Sequence, residues 1–308
     1  MSEPSTRKPV DDKPEWMQRK ERGSFFLLQL MSRISLLFGR RLSRIVVYGI
    51  ALYFLLVAPA VRKASRSYLA RALQRPATWF DMYRHILAFA STIHDRFYLL
   101  NNQADLFDIQ VVGAESILEH QGKNQGALLF GAHLGSFEAL LTHGRSNRFN
   151  SCVAMYPENA RQLNRALAAI NPQAITGIIA LGQIDSMLNI HHQLETGALV
   201  GVLADRAAGL DQYLSLPFLG APAHFPTGPF RMAAMLGHPV YFMTGLYCGG
   251  NRYEVHFEPL ADFAGVPRHQ RDEAVHESLQ KYVATLERHC RAAPYNWFNF
   301  FEFWELAA

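Results

Sequence analysis

Cysteine is scarce in this chain of 308 residues, which contains only Cys152, Cys248 and Cys290. The three lie far apart and form no Cys-x-x-Cys pair, so the sequence predicts neither a disulfide framework nor a cysteine zinc site. Buried thiols in a reducing compartment are the simplest interpretation. The chain also lacks a Gly-x-Ser-x-Gly segment, the turn that presents a serine nucleophile in many hydrolases.

A strong excess of either charge is missing as well. The formal net charge is +4, and 18% of the residues are charged while 49% are hydrophobic. A chain with this much apolar material can bury a large core, so global disorder is excluded. The positive balance is too small to indicate nucleic acid, and no such partner is expected. It suits an anionic membrane surface or an acidic carrier protein.

The first hundred residues differ in composition from the rest. Residues 1–15 are rich in Pro, Ser, Asp and Lys and are predicted to be a disordered tail, with no secretory signal at the start. Residues 16–100 are predicted to be a helical, membrane-associated region. Residues 45–61 carry no charge over seventeen positions, whereas a transmembrane helix needs about 20 apolar residues. One or two helices over 24–61 that lie in or dip into a membrane interface fit this pattern, and a buried hairpin of core helices is the alternative.

From residue 101 onwards, apolar runs of strand length alternate with segments of helical periodicity. This alternation predicts an α/β domain over residues 101–308, with a largely parallel mixed sheet flanked by helices. The expected strands are 109–112, 127–130, 152–155, 174–178, 198–204, 240–247 and 253–259, of which the last two are antiparallel. The expected helices are two within 62–100 that break near Pro76, followed by 114–121, 136–144, 159–170, 183–194, 227–236 and 268–291.

The main chemical signal is a histidine placed directly after a buried strand. Residues 127–130 are apolar, Gly131 follows, and four residues separate His133 from Glu138. At the carboxyl ends of the strands, where open α/β sheets bind ligands, a neutral imidazole can take a proton from an alcohol. An acid on the next helical turn can hold the other ring nitrogen, so Glu138 is predicted to orient His133. Because no enzyme nucleophile is evident, the attacking hydroxyl is expected to come from the substrate.

Further candidates for substrate binding lie in the same half of the chain. Asp205 and Arg206 follow the strand predicted at 198–204 and so reach the same edge of the sheet as His133. Backbone N–H groups near Gly135 or at a helix start are expected to hold an oxyanion.

A second group of candidates would bind anionic parts of the substrate. Thr227 is predicted to cap the helix whose first turn contains Gly228 and Arg231, which would create an anion site. Arg161, on the helix predicted at 159–170, would bind a phosphate or the phosphopantetheine of a carrier protein, or else belong to a solvated helix face.

Other histidines and the aromatic C-terminus are given structural interpretations. His85 and His94 lie alone on predicted helices, where a histidine usually packs in the core. His191 and His192 are adjacent rather than four apart, so a shared metal ion is not expected. The aromatic residues within 297–304 either pack in the core or sit at a membrane interface.

Several of these segments resemble one known family. Residues 131–138, Gly-Ala-His-Leu-Gly-Ser-Phe-Glu, resemble the Gly-x-His-x-Gly-x-[Trp/Phe]-Glu block of the late acyltransferases of lipid A biosynthesis. These enzymes belong to the lysophospholipid acyltransferase superfamily, with its His-x4-Asp/Glu motif. The resemblance covers residues 105–300 and continues through 203–206, 217–220, 223–229, 237–240 and 293–297.

The resemblance implies transfer of an acyl group from an acyl carrier protein or acyl-CoA thioester to a hydroxyl of a membrane lipid or glycolipid. It implies His133 as the general base and Glu138 as its orienting partner. The site would face the cytoplasm at the inner membrane, and the reaction would need no metal and no cofactor other than the thioester donor. A binding protein without activity and a thioesterase remain alternatives, and the acyl chain and acceptor stay open.

Overall fold

The computed structural model describes residues 25–123, 125–139, 151–155, 178–182, 185–206 and 212–304. Its helices are α1 (Phe25–Val57), α2 (Pro59–Ala72), α3 (Trp79–Leu100), α4 (Glu115–Gly122), α5 (Ser186–Glu195), α6 (Gly228–Leu236) and α7 (Arg271–Ala292). Its strands are β1 (Asp108–Val112), β2 (Ala127–Gly131), β3 (Ser151–Met155), β4 (Ile178–Ala180), β5 (Leu199–Leu203), β6 (Tyr213–Phe218), β7 (Ala221–Pro226), β8 (Pro239–Tyr247) and β9 (Arg252–Asp262). Short 3₁₀ turns cover Ala104–Leu106 and Arg268–Gln270.

Within the described residues, seven strands form one sheet in the order β1-β9-β8-β2-β5-β3-β4. All neighbours are parallel except β8 and β9, which pair as an antiparallel hairpin. The prediction of an α/β fold with a largely parallel mixed sheet is confirmed. Parallel strands joined by helical crossovers need cover on both faces, which explains why every residue of β2 is buried.

The two faces of β2 pack into different apolar clusters. Leu128 and Phe130 face a cluster that includes Phe230 of α6 and Tyr282 of α7. Leu129 points to the opposite face and packs in a cluster with Leu99 of α3. Packing on both faces thus fixes β2, and this in turn fixes the start of the loop that follows Gly131.

The N-terminal helices pack on the sheet and share its core. Leu55 of α1, Tyr68 of α2 and Ile86 of α3 belong to the same buried cluster as Leu128. The boundary predicted between residues 100 and 101 stays a prediction. The predicted tail at 1–15 lies outside the described residues.

The helix breaks follow local sequence rules. α1 kinks at Gly39, whose φ of 71° is outside the helical region. It ends at Val57, and Pro59 begins α2. The break predicted near Pro76 is confirmed, because α2 ends at Ala72 and Thr78 then caps α3 through a capping box with Asp81.

No single helix among the described residues is long and apolar enough to cross a membrane. A bent pair, Gly39–Val57 and Pro59–Ala72, meets the criterion only when its two members are taken together across an angle of 96°.

One part of the predicted secondary structure was wrong. The segment before Thr227 was expected to be a loop, but residues 213–226 form the β6–β7 hairpin, in which Leu214 pairs with Phe225. The sequence did not predict these strands because proline is rare inside sheets, and they contain Pro217, Pro222 and Pro226. Of the strand predicted at 174–178, residues 174–177 lie outside the described residues, and the described strand covers Ile178–Ala180.

The aromatic C-terminus is part of the core. Trp297 is fully buried and Phe303 nearly so. The Trp297 ring packs edge-on against Phe218 of β6, with ring centroids 5.3 Å apart. Core packing therefore accounts for most of this segment.

Candidate active site

The parallel register of β2 and β5 brings His133 and Asp205 together. Gly131, the last residue of β2, pairs with Leu203, the last residue of β5. His133 lies two residues after Gly131, and Asp205 lies two residues after Leu203. The Ala204 N–H donates to the Gly131 carbonyl at 2.9 Å, so the two loops stay in step beyond the strands.

Asp205 holds both the ring and the backbone of His133. Nδ1 of His133 lies 2.8 Å from Oδ1 of Asp205. The backbone N–H of His133 donates to Oδ2 at 3.1 Å. An ionised carboxylate can only accept, so Nδ1 carries the proton and Nε2 is the ring nitrogen that can take a proton from a substrate. About a third of the His133 side chain (32%) is exposed, whereas Asp205 is fully buried.

The C-terminal segment completes this arrangement. The indole Nε1–H of Trp297 donates to Oδ2 of Asp205 at 3.2 Å. The Phe298 N–H donates to the His133 carbonyl at 2.7 Å, and Trp297 forms a β-bridge with Leu134. Nε2 of His85, on α3, lies 2.8 Å from the Trp297 carbonyl and so helps to fix the backbone that carries the indole.

The electrostatics suit a base that is neutral at rest. Burial lowers the pKa of His133, the charge of Arg206 lowers it further, and Asp205 opposes both effects. Burial alone would raise the pKa of Asp205, but the interactions with His133 and Arg206 outweigh it and lower that pKa to about 2. Asp205 therefore stays ionised. Because its pKa is lowered, His133 stays neutral at lower pH than an ordinary histidine does.

Arg206 lies beside the pair and remains cationic. Burial lowers its pKa to about 10, partly offset by Asp205. One of its Nη–H groups donates to the Phe298 carbonyl at 3.0 Å, and its guanidinium lies 5.2 Å from the Phe301 ring centroid. Its Nε has no hydrogen-bond partner among the described residues. A buried guanidinium with an unused N–H is suited to an anionic group of a substrate.

Glu138 does not take the position at Nδ1 that the sequence predicted. Asp205 occupies that nitrogen, while the Glu138 carboxylate lies 2.6 Å from Nε of Arg96 on α3. It also accepts the hydroxyl of Ser136 at 3.0 Å. The prediction chose the acid nearest in sequence, whereas the sheet register supplies a nearer acid from 72 residues away.

Gly135 packs tightly rather than offering its amide to an oxyanion. Its N–H donates to the Asn296 carbonyl at 2.9 Å, and the Ser136 N–H donates to the Gly245 carbonyl at 2.7 Å. A Cβ at Gly135 would lie 2.1 Å from the Gly245 oxygen, and its φ of 75° also favours glycine. The expected oxyanion role is therefore wrong for these two amides.

The remaining predicted residues do not join the pair through any described hydrogen bond. Thr227 stands before α6, but its side chain makes no cap; its hydroxyl donates instead to the Gln212 carbonyl at 3.2 Å. The cap prediction is wrong because the β6–β7 register sets Thr227 against Gln212. Gly228 begins α6, and Arg231 is exposed on its first turn. Arg161 lies outside the described residues.

The sequence missed Trp297 and Arg96 as parts of the site. Trp297 lies in the segment 293–297 that resembles the family, but its side chain was expected only in the core or at an interface. Arg96 lies on a helix that periodicity assigns to packing. The strand ends predicted at 130 and 204 place His133 three residues and Asp205 one residue beyond them, so the equal offset seen in the structure was not visible in the sequence.

A histidine held in one tautomer by a buried carboxylate at the carboxyl edge of a parallel sheet has the geometry that general acid–base chemistry requires. The model of one family, described as bacterial lipid A biosynthesis acyltransferase, matches residues 31–305. The chain therefore belongs to the bacterial lipid A biosynthesis acyltransferases, and it is an acyltransferase enzyme. No curated protein is significantly similar to the chain. The resemblance stated from residues 131–138 is confirmed at the level of the family.

Replacing Trp297 by phenylalanine removes one donor to the buried carboxylate while keeping an aromatic ring. A hydrogen bond to a charged group contributes about 1.5–3 kcal/mol, so kcat is expected to fall roughly 10- to 150-fold with little change in KM. Trp304→Phe is the matched control, because its indole donates to the Phe218 carbonyl instead. Equal losses of kcat in the two variants would contradict the role assigned to Trp297.

The acid limb of the kcat/KM profile is expected below pH 6.5, because burial and Arg206 both disfavour the imidazolium. Arg206→Gln removes a repelling cation, which raises the pKa of His133 and moves the limb to higher pH. Arg206→Lys keeps the charge and should leave the limb in place. A limb that does not move in Arg206→Gln would exclude Arg206 as a determinant of this pKa.

Proposed function

We propose that the enzyme moves a fatty or related acyl group from an acyl carrier protein or acyl-CoA thioester to a hydroxyl of a membrane lipid or glycolipid. The observation that carries this proposal is the His133–Asp205 pair, in which Asp205 binds Nδ1 and leaves Nε2 as the ring nitrogen that can accept a substrate proton. Ser136, the nearest hydroxyl in sequence, is buried and donates to Glu138. The nucleophile is thus the acceptor hydroxyl itself.

In the proposed reaction, Nε2 of His133 takes the proton of the acceptor hydroxyl as its oxygen attacks the thioester carbonyl. A C–O bond forms and the C–S bond breaks. The imidazolium returns the proton to the departing sulfur, so the donor is released as a thiol. Asp205 keeps its charge throughout and stabilises the imidazolium at 2.8 Å. The functional pair in this proposal is His133 with Asp205, rather than His133 with Glu138.

Two cations support an anionic donor or acceptor. Arg206 and Arg96 both act on His133 electrostatically, and Glu138 holds Arg96 in place. Coenzyme A and the carrier protein's phosphopantetheine both contain phosphate, which guanidinium groups bind well. Arg206, with its unused Nε–H, is proposed to hold either that phosphate or the carbonyl oxygen as it becomes negative.

The membrane-facing surface is proposed to be the outer face of α1 together with the start of α3. The other face of α1 is buried through Val47, Ala51 and Leu55, so the part of this helix from Ile45 to Val57 is apolar on both faces. The exposed apolar residues are Leu42, Ile45, Val46, Tyr48, Leu52, Tyr53, Leu56, Val57, Trp79 and Phe80. We call this set the apolar surface.

Basic residues lie along the apolar surface. Arg62 of α2 connects α1 and α3, the two helices of the apolar surface. It donates to the Leu55 and Leu56 carbonyls, and its guanidinium lies 5.6 Å from the Trp79 ring centroid. Arg41 and Arg66 are exposed on α1 and α2. Aromatic rings with nearby arginines suit the headgroup region of an anionic leaflet, in agreement with the proposed cytoplasmic face of the inner membrane.

Alanine at position 133 should lower acyl-lipid formation by at least roughly 10²- to 10⁴-fold, the usual contribution of a general base. Asp205→Asn should cost much more than Glu138→Gln, because only the first removes the partner of Nδ1. The assay supplies an acyl carrier thioester and a membrane lipid extract and identifies products by mass spectrometry. Free acid as the sole product would favour hydrolysis, and absence of turnover would favour a binding protein. Greater loss in Glu138→Gln than in Asp205→Asn would overturn the assignment of the orienting acid.

The double change Ile45→Glu, Leu56→Glu places charge on the apolar surface without touching the core. Flotation with anionic phospholipid vesicles should show at least roughly a 10-fold loss of bound protein, because each buried leucine or isoleucine contributes about 1.5–3 kcal/mol. Leu188→Glu is the control, since Leu188 is equally exposed (67%) but lies on α5. Flotation of the double variant at the native level would contradict the proposed surface.

A further inference from the structure

Three side chains with metal-binding atoms converge away from the active site. His191 and Glu195 lie one helical turn apart on α5, and His238 precedes β8 directly. One atom from each of these side chains lies within 4.8 Å of the other two. Nε2 of His238 is 3.4 Å from Oε1 of Glu195, and the His191 and His238 ring centroids are 6.4 Å apart.

The spacing fits a tetrahedral ion. Zinc bonds to histidine nitrogen and carboxylate oxygen at about 2.0–2.2 Å, which places two ligand atoms of a tetrahedral site about 3.3 Å apart. The His238–Glu195 pair already has that separation. His191 and Glu195 are exposed and project from one face of α5, so their side chains can close the remaining distance by rotation without any backbone movement.

The backbone holds the third ligand in place. Gly237 ends α6 in the left-handed conformation with φ 71°, which turns the chain sharply into His238 and β8. The His238 side chain is mostly buried (16% exposed), whereas that of Glu195 is not (60%). One partly fixed ligand from a strand and two from successive turns of a helix form a preorganised set with a solvent-facing side.

We propose that His191, Glu195 and His238 bind one divalent transition-metal ion of the zinc type, with the fourth position open to water. Two imidazoles and one carboxylate suit zinc better than calcium or magnesium, which prefer oxygen ligands alone. The adjacent pair His191–His192 did not predict this site, because the helix partner of His191 is Glu195 and the third ligand is 43 residues further along the chain.

The place of the site in the fold indicates a stabilising role. His191 and Glu195 lie on the helix that leads into β5, and His238 lies at the start of β8. The site is therefore at the amino ends of these strands, whereas His133 and Asp205 follow the carboxyl ends of β2 and β5. The ion would join α5 to the α6–β8 connection and take no part in proton transfer at His133.

The test compares zinc binding by tag-free, chelator-treated protein and its single variants. Equilibrium dialysis against zinc should give one tight site per chain, lost with at least about a 100-fold rise in Kd in His191→Ala and His238→Ala. His192→Ala is the matched control, since His192 is the exposed neighbour of His191 on the same helix, and it should bind as the native chain does. Circular dichroism verifies that each variant is folded.

Two further measurements separate a built site from adventitious surface binding. Cobalt in place of zinc should give the visible bands of a tetrahedral nitrogen–oxygen site, absent in Glu195→Gln. Zinc at 100 times its Kd should raise the melting temperature of the native chain by about 5 °C, with no rise in His191→Ala. Zinc binding only at millimolar concentration, an equal loss in His192→Ala, or a cobalt spectrum unchanged by Glu195→Gln would each overturn the proposal.

Discussion

The active site depends on one buried negative charge, the carboxylate of Asp205. Moving a carboxylate out of water costs several kcal/mol unless donors replace the lost hydration. The described donors are the ring and backbone N–H groups of His133 and the indole N–H of Trp297. They come from distant parts of the chain, so β2, β5 and the C-terminal segment must all be in place before the charge is tolerated. Removing one partner from such a group typically costs about 3–5 kcal/mol, which ties the integrity of the site to the fold.

The same charge resolves a conflicting demand on the base. As the proposed general base, His133 must be neutral before it takes a proton and must be stable as a cation afterwards. Burial and Arg206 favour the neutral form, whereas Asp205 favours the cation. Because the cations lower the pKa while the carboxylate stays fixed against Nδ1, the base is available at neutral pH and its protonated form still has a partner. The geometry thus supports both halves of a proton-transfer cycle.

Sequence periodicity predicted the sheet, its largely parallel character and the place of His133, since these follow from local patterns. The predicted acid partner was wrong. Glu138 was chosen because it is near His133 in sequence, whereas Asp205 comes near His133 only through the pairing of Gly131 with Leu203. The oxyanion role of Gly135 failed for a similar reason, because its amide is used by the distant Asn296 carbonyl. Long-range pairing is set by the whole core, and a single sequence does not display it. The β6–β7 hairpin was missed because its prolines contradict local strand preferences, which tertiary packing against Trp297 overrides.

In the proposed function, the exposed aromatic residues give an apolar substrate a route to the His133–Asp205 pair. Phe89 of α3 is 37% exposed, and its ring lies 5.3 Å from that of Phe298. The backbone of Phe298 in turn donates to the His133 carbonyl. An exposed apolar side chain is therefore separated from His133 by a single residue. Trp79 and Phe80, on the same helix, belong to the apolar surface. Because α3 is one continuous helix from Trp79 to Leu100, a membrane bound at its start would lie at a fixed distance from His133. Binding of the lipid surface and placement of the acceptor hydroxyl are then two consequences of the same rigid element.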